Sequence, residues 1–230
     1  MLQYIKKIYF LPPIMTQWVI RLVTKALFLC FCNLKVQGLK NLDGYRGPLI
    51  FVSNHSSEWD GPLIRTVMPM ISRFTPMFYV SMSKKFYTNS GWRKHLYGGT
   101  FFKLVGAYPV YYGLKNYEKS LQNHIHILRD GGSIAIFPEG RASQTGEVKD
   151  FKVGAVVLAH LKNVPIVPVF IKDMYKLTRK EFLSRKRHVI IKFGAPYMIN
   201  IPKQESGDQL LKTYKEKTTE LRQTIINLSK

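Results

Sequence analysis

Acidic residues are scarce in this chain of 230 residues: 14 Asp and Glu stand against 35 Lys and Arg, a formal charge of +21. So large an excess implies an anionic partner, either nucleic acid, an anionic lipid surface or phosphorylated substrates, and charge alone does not choose among them. Cysteine is nearly absent. Cys30 and Cys32 are the only two, one residue apart in an apolar run. That excludes a disulfide framework and a four-ligand zinc set, and leaves them as small apolar residues of a reducing compartment. The chain has no Gly-x-Ser-x-Gly elbow, no aromatic RNP sequence, no zinc finger, no internal repeat and no linker long enough to divide domains. Neither a hydrolase-type serine nucleophile nor a standard nucleic-acid module is therefore encoded. No small-residue cleavage site follows the N-terminal apolar run, which argues against a cleaved signal peptide.

What is present is an ordinary globular composition, 46% hydrophobic, long enough for one domain with a sizeable core. Its most informative stretch is residues 48–60. Leu49, Ile50, Phe51 and Val52 form a short apolar run that reads as a strand buried on both faces. It ends in Ser53-Asn54-His55-Ser56-Ser57-Glu58-Trp59-Asp60. In α/β sheets chemistry sits beyond the carboxyl ends of strands, which places Asn54, His55 and Asp60 where catalytic groups are found. Within one continuous helix, residues five apart would point roughly 140° away from each other. With His55 in the turn and Asp60 near a helix start, a start that Pro62 supports, the chain folds the two side chains together. Asp60 could then accept one imidazole N–H, fix the tautomer and raise the basicity of the other nitrogen. Ser57-x-x-Asp60 also fits a capping box, in which the carboxylate serves only the backbone.

Ahead of this strand, residues 1–13 are basic and aromatic and end at Pro12-Pro13. Residues 14–32 carry helical periodicity, with Gln17, Arg21, Thr24 and Lys25 on one face. Two charges in the middle of the run argue against a membrane span. The reading is an amphipathic helix lying in the membrane interface, with Trp18 near headgroup depth; a helix packed on the domain's own core is the alternative. Lys35 to Gly47 reads as a polar connector, 63–70 as helix and 78–80 as strand. Residues 84–103 interleave bases with rings (Lys84, Lys85, Phe86, Tyr87, Trp92, Arg93, Lys94, Tyr97, Phe101, Phe102, Lys103), a pattern suited to single-stranded nucleic acid or to lipid headgroups. Without a nucleic-acid motif the lipid reading prevails. A helix over 114–129 stops at Asp130-Gly131-Gly132, and its His124 and His126 face different ways. Beyond lie a helix at 152–162, strands at 164–171 and 188–193, a basic loop at Arg185-Lys186-Arg187, and a terminal helix from Asp208.

A second buried-strand run, Ser133 to Phe137, ends in Pro138-Glu139-Gly140-Arg141. Glycine lets the backbone approach a ligand, and an arginine fork matches phosphate. Asn54-His55-(x4)-Asp60 together with Phe137-Pro138-Glu139-Gly140-Arg141 resembles the glycerolipid O-acyltransferase family, whose best-known members are the 1-acylglycerol-3-phosphate acyltransferases. Ser57, Phe151-Lys152-x-Gly154-Ala155 and Val164-Pro165-Ile166-Val167-Pro168-Val169 are similar to further motifs of that family, in its order, so that the resemblance covers roughly residues 48–170. Two departures stand out. Tyr111 and Tyr112 follow Gly106 to Val110 where the family has an arginine, for which Lys103 and Lys115 are the candidate substitutes, and Arg141 follows its glycine by one residue where the family's follows by two. Both touch phosphate recognition and leave the acceptor lipid open.

The resemblance implies an α/β fold with a mixed, largely parallel sheet flanked by helices. Residues 1–35 would form an N-terminal membrane-associated helical segment and residues 36–230 the acyltransferase domain. It implies direct acyl transfer from a thioester, acyl-CoA or an acyl carrier protein, to the hydroxyl of a lysolipid, first of all 1-acylglycerol-3-phosphate. His55 is the general base, oriented by Asp60. Glu139, Gly140, Arg141, Lys84, Lys85, Lys103 and Lys152 are the substrate-binding candidates, with oxyanion donors sought in backbone N–H groups around Glu139-Gly140. No metal and no resident cofactor is required. The expected partner surface is an anionic membrane at its cytoplasmic face, not nucleic acid. An amino-lipid acceptor, or a basic non-enzymatic membrane- or nucleic-acid-binding module, are the rival readings.

Overall fold

A computed structural model describes residues 8–88, 91, 99–111, 113–114, 116–202 and 204–230, without the side chains of Lys84, Lys85, Arg179 and Leu183. Seven strands, β1 (Lys35–Gln37), β2 (Ile50–Ser53), β3 (Met77–Ser81), β4 (Ala107–Pro109), β5 (Ser133–Ile136), β6 (Ile166–Lys172) and β7 (Ile190–Phe193), form one sheet in the order β1-β7-β6-β2-β5-β3-β4. Every neighbouring pair is parallel except β6 and β7. The expected mixed, largely parallel sheet is thus present. The two runs read as doubly buried strands lie side by side at its centre, Ile50 opposite Ile134 and Val52 opposite Ile136. All residues of β2 and β5 are buried, as a strand covered on both faces requires.

Alternate residues of these strands feed two cores. Ile50, Val52, Ile134 and Ile136 pack with α5 (Gln122–Arg129), α6 (Gly154–Lys162) and α8 (Gly207–Asn227). Leu49, Phe51, Ala135 and Val167 pack on the other face, with Phe28 of α1 (Leu11–Phe31) and Leu63 and Ile64 of α2 (Asp60–Thr66). The helices α3 (Thr100–Leu104), α4 (Tyr117–Ser120) and α7 (Arg179–Leu183) are short. The single helix expected over 114–129 is interrupted at Leu121, whose ψ of 11° leaves the helical region and divides it into α4 and α5. The polar connector contains β1, an exposed edge strand on β7. Of the basic–aromatic stretch, Trp92, Arg93, Lys94 and Tyr97 lie outside the described residues.

Helix α1 departs most from expectation. An interfacial amphipathic helix turns its polar stripe to water, yet Gln17, Arg21 and Thr24 are buried against the domain while Met15, Val19 and Leu29 are 67%, 63% and 63% exposed. The reason is hydrogen bonding at the sheet's rim. Gln17 donates to the carbonyls of Met77 (2.6 Å) and Val105 (2.9 Å) and accepts from the Met77 N–H (3.0 Å). Arg21 donates to the Met68 carbonyl (3.0 Å) beyond the end of α2. The stripe completes backbone groups that would otherwise be orphaned, and the apolar side is left outward. By length and composition Ile8–Phe31 is sufficient to cross a membrane, but these bonds tie the helix along the domain.

Two outcomes follow from these packing details. Replacing Gln17 by Leu strands three backbone groups of Met77 and Val105, and we expect a loss of about 2–4 kcal/mol in chemical denaturation. His124 is fully buried, and burial pulls its pKa from 6.5 down to about 4, hydrogen bonding to the backbone of Tyr79 and Tyr108 opposing this only in part. Between those values the unfolded chain binds the proton and the folded chain does not. Stability therefore falls as pH drops through that window, by up to about 3 kcal/mol. A His124→Leu protein is expected to show a flatter dependence of urea midpoint on pH between 6.5 and 4.

Candidate active site

The end of β2 is pinned before it turns. Asn54 donates to the Ile171 carbonyl (2.9 Å) and accepts from the Ile171 N–H (2.8 Å), extending the β2–β6 pairing by a side chain. Asn54 is therefore a structural clamp, not a reacting group. The chain then reverses, and Asp60 opens α2 with Pro62 in its first turn. The Asp60 side chain is 0% exposed, and its Oδ2 accepts from the N–H groups of Ser56 (2.7 Å) and Ser57 (2.8 Å) and from His55 Nδ1 (2.9 Å). One oxygen thus serves both backbone and imidazole, but no capping box forms: the N-cap of α2 is Trp59, without a side-chain bond, and Ser57 Oγ accepts from Trp59 N. A carboxylate accepts only, so the imidazole proton sits on Nδ1 and the lone pair on Nε2. The imidazole ring stacks on Phe137, centroids 4.5 Å apart, and its side chain keeps 21% of its surface open.

Because β2 and β5 are neighbours, the Pro138-Glu139-Gly140 turn lies beside this histidine. Glu139 Oε1 accepts the His55 backbone N–H (2.9 Å), and the His55 carbonyl accepts from Ser143 N (2.7 Å). The backbone of His55 is thereby held on both sides by the segment after β5. Burial raises the Glu139 pKa; the backbone amides of His55 and Lys149, and both residues' charges, favour the ionised form in opposition. Its Oε2 is buried and makes no hydrogen bond. Gly140 has φ of +76°, a backbone conformation that favours glycine, and the Lys152 ammonium lies over it, 2.7 Å from where a Cβ would stand. Arg141 is exposed, with its guanidinium 4.7 Å above the Phe86 ring.

Of the residues singled out from sequence, His55, Asp60, Glu139, Gly140 and Lys152 come together, with Arg141 at their edge. Lys103 lies elsewhere, exposed on α3, which leads into the opposite, N-terminal end of β4. Lys84 and Lys85 fall in the turn Lys84–Tyr87, but their side chains, like Tyr112 and Lys115, lie outside the described residues. The Gly140 N–H is bonded to the Phe137 carbonyl (3.0 Å), so it is not the open oxyanion donor sought at this turn. Phe137 and Ser143 are the site residues that sequence reasoning missed. Phe137 read as the last apolar residue of a strand, and nothing local marked it as the platform for an imidazole. Among the described residues, no group of His, Cys, Asp and Glu could hold a metal ion.

Residues 33–172 match the Acyltransferase family. The chain is 28% identical over 148 residues to the chloroplastic 1-acyl-sn-glycerol-3-phosphate acyltransferase BAT2 of Brassica napus, covering 64% of this chain and 39% of that protein. It is 27% identical over 195 residues to the 1-acyl-sn-glycerol-3-phosphate acyltransferase of Saccharomyces cerevisiae, covering 80% of this chain and 60% of the relative. The matches thus span less than two thirds of either relative's length. The crystal structure of the 1-acyl-sn-glycerophosphate acyltransferase PlsC from Thermotoga maritima shares the fold, with a TM-score of 0.60, 94% of this chain and 79% of that chain covered, and 22% identity. With the matched span enclosing His55, Asp60, Glu139 and Lys152, the chain belongs to the Acyltransferase family.

Proposed function

We propose that this protein transfers a fatty acyl group from an acyl thioester to the free hydroxyl of 1-acylglycerol-3-phosphate, giving phosphatidate at a membrane surface. The observation that carries the reading is the 2.9 Å contact between His55 Nδ1 and a fully buried Asp60, which leaves Nε2 as the one basic nitrogen of the ring. Nε2 takes the hydroxyl proton as the alcohol oxygen attacks the thioester carbonyl; the C–S bond then breaks, and the imidazolium returns the proton to the departing thiolate. Asp60 holds the imidazolium that forms in between. Lys152 and Arg141, either side of the Glu139-Gly140 turn, are the cations that meet the acceptor phosphate. Family membership and the named activity of the relatives support the acceptor. The donor, acyl-CoA or an acyl carrier protein, is a co-substrate of this scheme.

The membrane lies against the outward face of α1 in this proposal. Met15, Val19, Leu22, Val23 and Leu29 are all exposed there, and Phe28 of the same helix meets the ring of Trp59, the residue before Asp60, at 6.4 Å. Trp59 is 46% exposed. A lipid acceptor could then keep its chain in the leaflet while its headgroup reaches the histidine. Phe31 packs on Phe182 of α7 (5.2 Å), which brings the exposed Arg185 and Lys186 near that face, and the net charge of +21 favours anionic headgroups. The two free cysteines support the cytoplasmic face.

The test is transfer by purified protein in mixed micelles, with a panel of lysolipids, both donor types, and products identified by mass. Lysophosphatidate is expected to be acylated in preference to phosphate-free lysolipids. His55→Ala and Asp60→Asn are expected to fall by about 10²–10⁴ in kcat, with thermal unfolding of the His55 variant little changed. Near-normal turnover by His55→Ala would remove the base from the scheme.

A further inference from the structure

The C-terminal helix α8 reaches the active-site loop through one side chain. Arg222 donates from Nε to the Lys149 carbonyl (2.8 Å) and from Nη2 to the Val148 carbonyl (2.8 Å), while the Asp150 carboxylate lies 3.7 Å from Nε. Asp150 is fully exposed, so that ion pair contributes little and the two carbonyl bonds dominate. The peptide unit joining Val148 to Lys149 is trans, so its carbonyl and its N–H point to opposite sides. The carbonyl faces Arg222; the N–H faces Glu139, where it favours the charged carboxylate.

Three residues further on, Lys152 N donates to the Pro138 carbonyl (2.9 Å), and the Lys152 stem and ammonium lie over Gly140. The segment 148–152 is thus sandwiched between α8 and the Pro138-Glu139-Gly140 turn. We infer that Arg222 is a positioning residue for the acceptor phosphate: by fastening 148–152 to α8 it sets where Lys152 presents its ammonium beside that turn. The inference rests on the acyltransferase reading proposed above. Arginine suits this role better than lysine, whose ammonium cannot span two carbonyls in a fixed fork. His55 itself is held by Asp60, Phe137, Glu139 and Ser143, none of which Arg222 bonds directly, so the effect belongs to binding more than to chemistry.

The experiment compares wild type, Arg222→Met, Arg222→Lys, Lys152→Met and the double variant Arg222→Met/Lys152→Met, with KM for lysophosphatidate, KM for the donor, kcat and thermal midpoint measured for each. We expect Arg222→Met to raise KM for lysophosphatidate about tenfold while kcat stays within about threefold and KM for the donor is unchanged. Arg222→Lys is expected to recover part of the loss. The double variant should be no worse than Lys152→Met alone, because the two changes act on one interaction. An unchanged acceptor KM in Arg222→Met, a fall in kcat and thermal midpoint alone, or additive effects in the double variant would overturn the inference. Wild type failing to acylate lysophosphatidate would overturn the functional reading beneath it; wild type active, with Lys152→Met impaired and Arg222→Met normal, overturns the positioning role only.

Discussion

A carboxylate with no solvent exposure is costly unless its charge is met by donors, and the architecture around Asp60 is organised to meet it. Its Oδ2 receives two backbone N–H groups and an imidazole within 2.7–2.9 Å, while Oδ1 is buried without a hydrogen bond, and the residue sits in the first turn of α2, where the helix dipole favours negative charge. Those contacts leave the loop 55–60 little freedom. The same bonds that neutralise the charge also fix the rotation of the His55 ring and the tautomer it carries. Burial of Asp60 and orientation of His55 are two consequences of a single arrangement, which is why the five-residue spacing works through a turn when a continuous helix would separate the pair.

The opposite end of α2 is treated with the opposite sign. Arg65, buried, donates to the carbonyls of Pro69 (3.2 Å) and Met70 (3.1 Å), and Arg21 of α1 to that of Met68. Burial lowers the Arg65 pKa to about 10, so the guanidinium stays charged near neutral pH. A short helix with a buried acid in its first turn and two cations on the carbonyls beyond its last turn has its backbone dipole complemented at both ends. This explains why α1 carries arginine and glutamine in an otherwise apolar run. They are fasteners for α2 and for the rim of β3, and α2 is the element that carries Asp60.

The parts legible in the sequence were those with a strong local signal. Apolar runs of four or more residues announced β2, β5 and β6, and the polar clusters ending β2 and β5 announced the two halves of the site; the neighbouring placement of those strands then brought His55 and Glu139 together. What escaped had no such signal. β1 is three residues long and mostly exposed, too short for a period of two to register. Periodicity in α1 revealed a polar stripe but not which side faced water, because that depends on unpaired carbonyls at residues 68, 77 and 105, far along the chain. Arg222 looked like one more charge on an amphipathic terminal helix. Its meaning comes from carbonyls more than 70 residues earlier in the chain.

The inverted packing of α1 also bears on how the proposed reaction could run beside a membrane. If the helix crossed a bilayer, Met77 and Val105 would lose their partners at the edge of the sheet, and Arg21 would leave the carbonyl of Met68 for hydrocarbon; both changes are unfavourable, and both lie next to the element holding Asp60. Remaining on the domain, the helix keeps those bonds and still turns Met15, Val19, Leu22, Val23 and Leu29 outward, with Lys25 exposed beside them. The polar residues that disqualify it as an ordinary spanning segment are therefore what allow it to serve as a one-sided support. The contact of Phe28 with Trp59 joins that support directly to the turn bearing the base. On the proposed reading, the helix that would meet lipid and the turn that carries His55 and Asp60 are thus tied together through the buried Phe28.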